Sequence, residues 1–139
     1  MQIRVLIIED DKYMNETLKE VLENEGITVD SSLSAIDAIN KLVHFSKNYD
    51  LLLLDYNLQH LNDVSGLDIF ELARKINPKI TAIMITAYNN KEIKNKAYSI
   101  GIRKFIEKPF SINELVENVK EISSEFTREN DVINGYSTI

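Results

Sequence analysis

The chain has 139 residues, enough for one domain with its own core and too few for two ordinary ones. Apolar residues make up 44% and charged residues 27%, a globular balance, and the lack of cysteine excludes a disulfide framework or a thiolate metal site. The formal net charge is −6 with no basic block, which argues against direct nucleic-acid binding by this segment.

The opening MQIRVLIIEDD carries a short apolar run followed at once by acids, which is wrong for a secretory signal. No stretch approaches the roughly 20 apolar residues that span a bilayer. A cytoplasmic chain without membrane contact is the expectation.

Arg4–Ile8 is β-branched and apolar and reads as a buried strand. Met14, Leu18, Val21 and Leu22 form the stripe of an amphipathic helix, with Gly26 as its stop. Ile27–Ser31 alternates apolar and polar residues, as a strand with one wetter face does. Ser34 is placed to cap a helix over Ala35–Phe45 whose apolar side is Ala35, Ile39, Leu42 and Val43.

The run Leu51–Leu54, set between Asp50 and Asp55, reads as a buried central strand. A polar loop from Tyr56 to Ser65 leads into a helix over Gly66–Ile76, closed by Asn77-Pro78. Ile80–Ile85 is another buried strand, Asn90–Ile100 a more polar helix ended by Gly101, and Lys104–Ile106 a short strand. Ser111 and Glu114 form a capping box for a last helix carrying Ile112, Leu115, Val116, Val119 and Ile122. From Glu125 the pattern decays into FTRENDVINGYSTI, so residues 1–124 read as the domain and 125–139 as a tail or linker.

Five β–α repeats imply parallel pairing, because each crossover helix must pack back on the sheet. The fold class is therefore α/β, a three-layer doubly wound (βα)5 domain. Functional groups in such sheets gather beyond the carboxyl ends of the strands. Glu9 and Asp10 end the first strand, Asp55 the third and Thr86 the fourth, and Lys108-Pro109 follows the fifth. One parallel sheet brings all of them to one edge.

Three neighbouring carboxylates repel one another unless a cation is present, and a hard cation with oxygen ligands such as Mg²⁺ suits them. Asp10 and Asp55 are the candidate direct ligands, Glu9 reaches the metal through water, and the backbone carbonyl of Asn57 completes the set. One carboxylate can then attack a phosphoryl group to form an acyl phosphate. Asp55 is the candidate nucleophile, central between the acid pair and the Thr86/Lys108 side, with those two groups stabilising the transferring oxygens.

At this point the sequence resembles the receiver domains of two-component response regulators, which have a flavodoxin-like fold. VLIIEDD, DLLLLDYNL, IMITAY and KFIEKPF occur in the family's order and approximate spacing, over Met1 to about Ser124. The resemblance implies strand order 2-1-3-4-5, an acid pocket of Glu9 and Asp10, and Asp55 as phosphoacceptor. It makes Thr86 the switch hydroxyl and Lys108 the phosphate-pairing lysine. Pro109 falls where the family often has a cis Lys–Pro bond, and Phe105 where an aromatic changes its exposure on activation. Asp11 ranks below Asp10 as a ligand.

The implied partners are a sensor histidine kinase or histidine phosphotransfer protein and an effector that reads the surface of the fourth helix, fifth strand and fifth helix. Phosphorylation-dependent dimerisation through the last two helices stays open. Two features depart from or tune the pattern. The loop NLQHLNDVSG lacks the family's proline and displaces Gly66, and Asn57 and Tyr88 occupy positions that set acyl-phosphate lifetime.

Each feature also has an ordinary structural reading. Acids favour a helix N-terminus, Asp55 suits a strand-end turn, Thr86 a strand, Lys108 the surface and Phe105 the core. His44 and His60 lack metal-ligand spacing and read as incidental. It is the four features together, in order, that favour the functional reading. Two rivals remain: a Mg²⁺-dependent aspartyl-phosphate phosphohydrolase, which normally wants a second aspartate where Asn57 stands, and a non-phosphorylated docking scaffold.

Overall fold

The computed structural model describes residues 3–45, 48–56, 64–87 and 90–133. Strands and helices alternate through them as β1 Arg4–Ile8, α1 Lys12–Asn24, β2 Thr28–Ser32, α2 Ala35–Phe45 and β3 Leu51–Asp55. The second half continues with α3 Gly66–Ile76, β4 Thr81–Thr86, α4 Lys91–Ser99, β5 Lys104–Glu107 and α5 Ile112–Ile133. The strands pair in parallel in the order β2-β1-β3-β4-β5, the doubly wound topology expected from the alternating pattern and the resemblance.

Strand side chains point alternately to opposite faces, and this divides the core in two. Leu6, Ile8, Leu52, Leu54, Ala82 and Met84 meet α2, α3 and α4 on one side of the sheet. Val5, Ile7, Leu51, Leu53, Ile83, Ile85 and Ile106 meet α1 and α5 on the other. Unbroken apolar runs such as Leu51–Leu54 are thus the signature of a strand buried on both faces.

Several boundaries differ from the periodicity by one residue, for local reasons. The Ile27 N–H donates to the Leu22 carbonyl at 3.1 Å, so Ile27 belongs to the turn at Gly26, whose φ is +81°. The Ile80 N–H closes a turn on Asn77 O at 3.1 Å, and β4 begins one residue later. Asn90 lies outside α4 as its cap, its Oδ1 accepting from the N–H groups of Glu92 and Ile93.

One expectation on the helices needs correction. The buried side of α2 is Ala35, Ala38 and Leu42, while Val43 is 54% exposed and Ile39 only half-buried. The small Ala38 takes the sheet-facing position that apolarity alone assigned to Ile39. Helix α5 continues past Glu125, where the hydrophobic pattern fades: Arg103 pairs with Glu125, and Phe126 packs against the core between α1 and α5. The 124/125 boundary therefore falls inside a continuous helix. Among the described residues, no helix is long and apolar enough to cross a membrane.

Candidate functional site

Parallel register brings the carboxyl ends of four strands side by side. Ile8 pairs with Leu54, Asp55 with Ile85 and Thr86 with Glu107. Glu9 is the first residue past β1, Asp55 the last of β3, Thr86 the last of β4, and Lys108 the first past β5.

Lys108 closes the group. Its Nζ donates to Asp55 Oδ2 at 2.8 Å and to Glu9 Oε1 at 3.2 Å, and its N–H donates to the Thr86 carbonyl at 2.8 Å. The Lys108–Pro109 peptide bond is cis. Glu9, Asp10 and Asp55 each offer a carboxylate oxygen, and these oxygens lie within 4.8 Å of one another. Glu9 is 4% and Asp55 7% exposed, Thr86 is wholly buried, and Asp10 is half-buried.

The electrostatics follow from this crowding. Burial, reinforced by the charge of Asp55, pushes the Glu9 carboxyl up to about 7 against the pull of the Asp11 N–H and Lys108. Burial works against the Lys108 charge, yet its hydrogen bonds and attractions to Asp55 and Glu9 outweigh that and raise its pKa. Converging hard oxygen donors on a partly buried point fit Mg²⁺ in chemical type, and a divalent cation would relieve the carboxylate repulsion that adds to burial in lifting Glu9.

The other sequence candidates fall in different places. Asn57, Tyr88 and His60 lie outside the described residues. Asp11 takes the ordinary part of the acidic triplet: it caps α1, its Oδ1 accepting from Met14 N–H at 3.0 Å. Phe105 is half-buried on the α2–α4 side, beside its register partner Met84. The Tyr98 ring meets it edge-on with centroids 6.0 Å apart, and Lys94 lies 5.9 Å above it while pairing with Glu107 at 2.9 Å.

One residue at the site escaped the sequence reading. Asn15 is buried on α1 and hydrogen-bonds the carbonyls of Glu9 and Ser32. Of the stripe Met14, Leu18, Val21 and Leu22, the two leucines are buried while Met14 and Val21 are half-buried, and the third buried position of α1 is Asn15. The missing signal was a polar residue three positions before a core leucine, a place where a side-chain amide must find partners.

A family model described as the response regulator receiver domain matches residues 5–120. The chain is 29% identical over 120 residues to the transcriptional regulatory protein CusR of Escherichia coli, covering 86% of this chain and 51% of that one. It is 25% identical over 121 residues to the chemotaxis protein CheY of Treponema pallidum, covering 86% and 81%. The chain thus spans about half the length of the transcriptional regulator and most of the chemotaxis protein. Among solved structures, a CheY-like receiver domain protein from Methanospirillum hungatei superposes with a TM-score of 0.81 at 29% identity, covering 93% of this chain and 99% of that one.

Proposed function

The chain belongs to the response regulator receiver family of two-component signalling, and from that premise we propose that it is a phosphorylation switch whose acceptor is Asp55. The observation that carries the reading is the Lys108 ammonium bridging Asp55 Oδ2 and Glu9 Oε1, with Asp10 completing the acid cluster. A buried carboxylate held between a cation and an acid pair is suited to receive a phosphoryl group.

In this reading a histidine kinase or histidine phosphotransfer protein presents a phosphohistidine at the carboxyl edge of the sheet. An Asp55 carboxylate oxygen attacks phosphorus, a P–O bond forms, the P–N bond breaks, and its electron pair stays on the departing imidazole. Lys108 exchanges its hold on the free carboxylate for a phosphoryl oxygen, and the Thr86 hydroxyl donates to another. Glu9, Asp10 and Asp55 would hold Mg²⁺, which supplies charge neutralisation for the transferring oxygens.

The output follows from the faces the residues share. Thr86 and Met84 lie on the same face of β4, and Phe105 is the register partner of Met84. Drawing Thr86 toward the phosphate opens space on that face for Phe105 to turn inward, away from Tyr98. This repacks the α4–β5–α5 surface that an effector reads, a local charge event biasing a two-state element.

Incubation with acetyl phosphate, with and without Mg²⁺ and beside Asp55→Asn, tests the assignment by intact mass. A single Mg²⁺-dependent phosphoryl adduct, labile to hydroxylamine and absent from the variant, is expected. An adduct that persists in Asp55→Asn moves the acceptor elsewhere, and no adduct together with no Mg²⁺ binding favours a docking scaffold.

A further inference from the structure

Of the three buried residues of α1, Asn15 is the polar one. It is 2% exposed, and its Nδ2 donates to Glu9 O and to Ser32 O, each at 3.0 Å. The last register pair between β1 and β2 is Ile8 with Ser32, and Glu9 lies just beyond it. There the Glu9 N–H still reaches Ser32 O at 3.2 Å. The side-chain amide of Asn15 therefore ties the two strand ends together where the regular ladder stops and the chain turns toward α1.

Glu9 is consequently held on every polar side. Its N–H is on Ser32 and its carbonyl on Asn15, while Oε2 accepts from Asp11 N–H at 3.2 Å and Oε1 from Lys108 at 3.2 Å. This restraint opposes a specific force. Glu9, Asp10 and Asp55 repel one another when ionised, and a strand end with free torsions relaxes by swinging its carboxylates apart. A clamp on the Glu9 carbonyl blocks that relaxation without adding charge to the pocket.

We propose that Asn15 is a positioning residue of the acid pocket: it fixes the Glu9 backbone to the end of β2 and so sets the direction in which Glu9 and Asp10 face Asp55. Asn15 touches none of the reacting atoms and acts through Glu9. The functional consequence rests on the phosphoswitch reading above, whereas the clamp itself is a statement about the backbone alone.

The test uses the full chain as wild type, Asn15→Ala and Asn15→Ser, with Ile122→Ala as a control. Ile122 is buried between α5 and the sheet and is no part of the acid cluster. Mg²⁺ titrated by calorimetry is expected to bind Asn15→Ala about tenfold more weakly than wild type, the lower end of what loss of a ligand's supporting partner costs. Asn15→Ser, which keeps a donor, falls between them and serves alone if Asn15→Ala does not fold. Ile122→Ala loses stability but keeps its Mg²⁺ affinity within about twofold, because its cavity is remote from the ligands.

Hydrogen exchange gives a second reading that needs no metal. In the Asn15 variants the Glu9 amide exchanges at least tenfold faster relative to the amides of Leu52 and Leu53, whereas uniform acceleration is the mark of a merely structural role. Unchanged Mg²⁺ affinity, or an equal loss in Ile122→Ala, overturns the positioning role. If wild type neither binds Mg²⁺ nor takes up a phosphoryl group, the phosphoswitch reading fails, and exchange at Glu9 alone decides for or against the clamp.

Discussion

A β-carbon on Gly66 would lie 2.6 Å from the Asp55 carbonyl oxygen, so α3 starts against the end of β3 only because residue 66 has no side chain. The Gly66 N–H donates to Tyr56 O at 3.0 Å and pins the base of the connection beside the proposed acceptor. Gly66→Ala must therefore move either α3 or Asp55. A stability loss of about 1–3 kcal/mol is expected from urea denaturation, the usual range for forced overpacking. Labelling by acetyl phosphate slows as well. Wild-type stability and labelling together would show that the backbone yields there at no cost.

Glu9 links the pocket to pH. Its folded-state value of about 7 stands above its ordinary 4.5, so the folded protein holds a proton that the unfolded chain releases. The contribution of this group is fully present below pH 4.5 and is lost as pH rises through about 7. Metal-free protein is destabilised through Glu9 by up to about 3 kcal/mol at pH 8 relative to pH 4.5. On the proposed reading Mg²⁺ would bind the ionised pocket, so it is expected to raise the melting temperature more at pH 8 than at pH 5.5. Glu9→Gln flattens that difference, and melts of the two proteins with EDTA or Mg²⁺ check it. An equal Mg²⁺ effect at both pH values would contradict the assignment.

Lys108 holds two acids with one ammonium, and Lys108→Met removes the charge while keeping most of the stem. Its attraction is one of the influences lowering Glu9, so the Glu9 midpoint rises above about 7 in the variant. Carboxyl-carbon NMR of the metal-free protein measures that midpoint directly. A midpoint that stays in place or falls would mean the bridge to Glu9 is absent in solution.

The sequence made the sheet legible because its strands are buried on both faces, and continuous runs such as Leu51–Leu54 have few other uses. The site was legible for a related reason: parallel pairing carries residues far apart in sequence to one edge. What stayed hidden was set by tertiary contacts. Ala38 rather than Ile39 lies on the buried face of α2, and hydropathy alone ranks the two the other way. Asn15 carries no apolar signal, and its value lies in two carbonyls that only the folded chain brings near it. Thr86 and Lys108 stood out as candidates because Thr86 ends β4 and Lys108 follows β5, while Gly66 acts through the side chain it lacks.

The helical end of the domain gives the last test. The hydrophobic pattern marks Ser124 as its limit, but Glu125 pairs with Arg103 just before β5, and Phe126 lies half-buried against the α1–α5 core. A chain stopped after Ser124 loses both contacts. The partly exposed ion pair contributes at most about 1 kcal/mol. Half-burial of a phenylalanine contributes about 1–2 kcal/mol, so the truncated chain should be about 1–3 kcal/mol less stable to urea. The shortened helix also loses ellipticity. Full-length stability in the truncated chain would place the domain end at 124 and make the following residues a linker. A loss of the expected size makes the extension of α5 part of the domain, so a change in α5 position on phosphorylation would be carried beyond the pattern's limit.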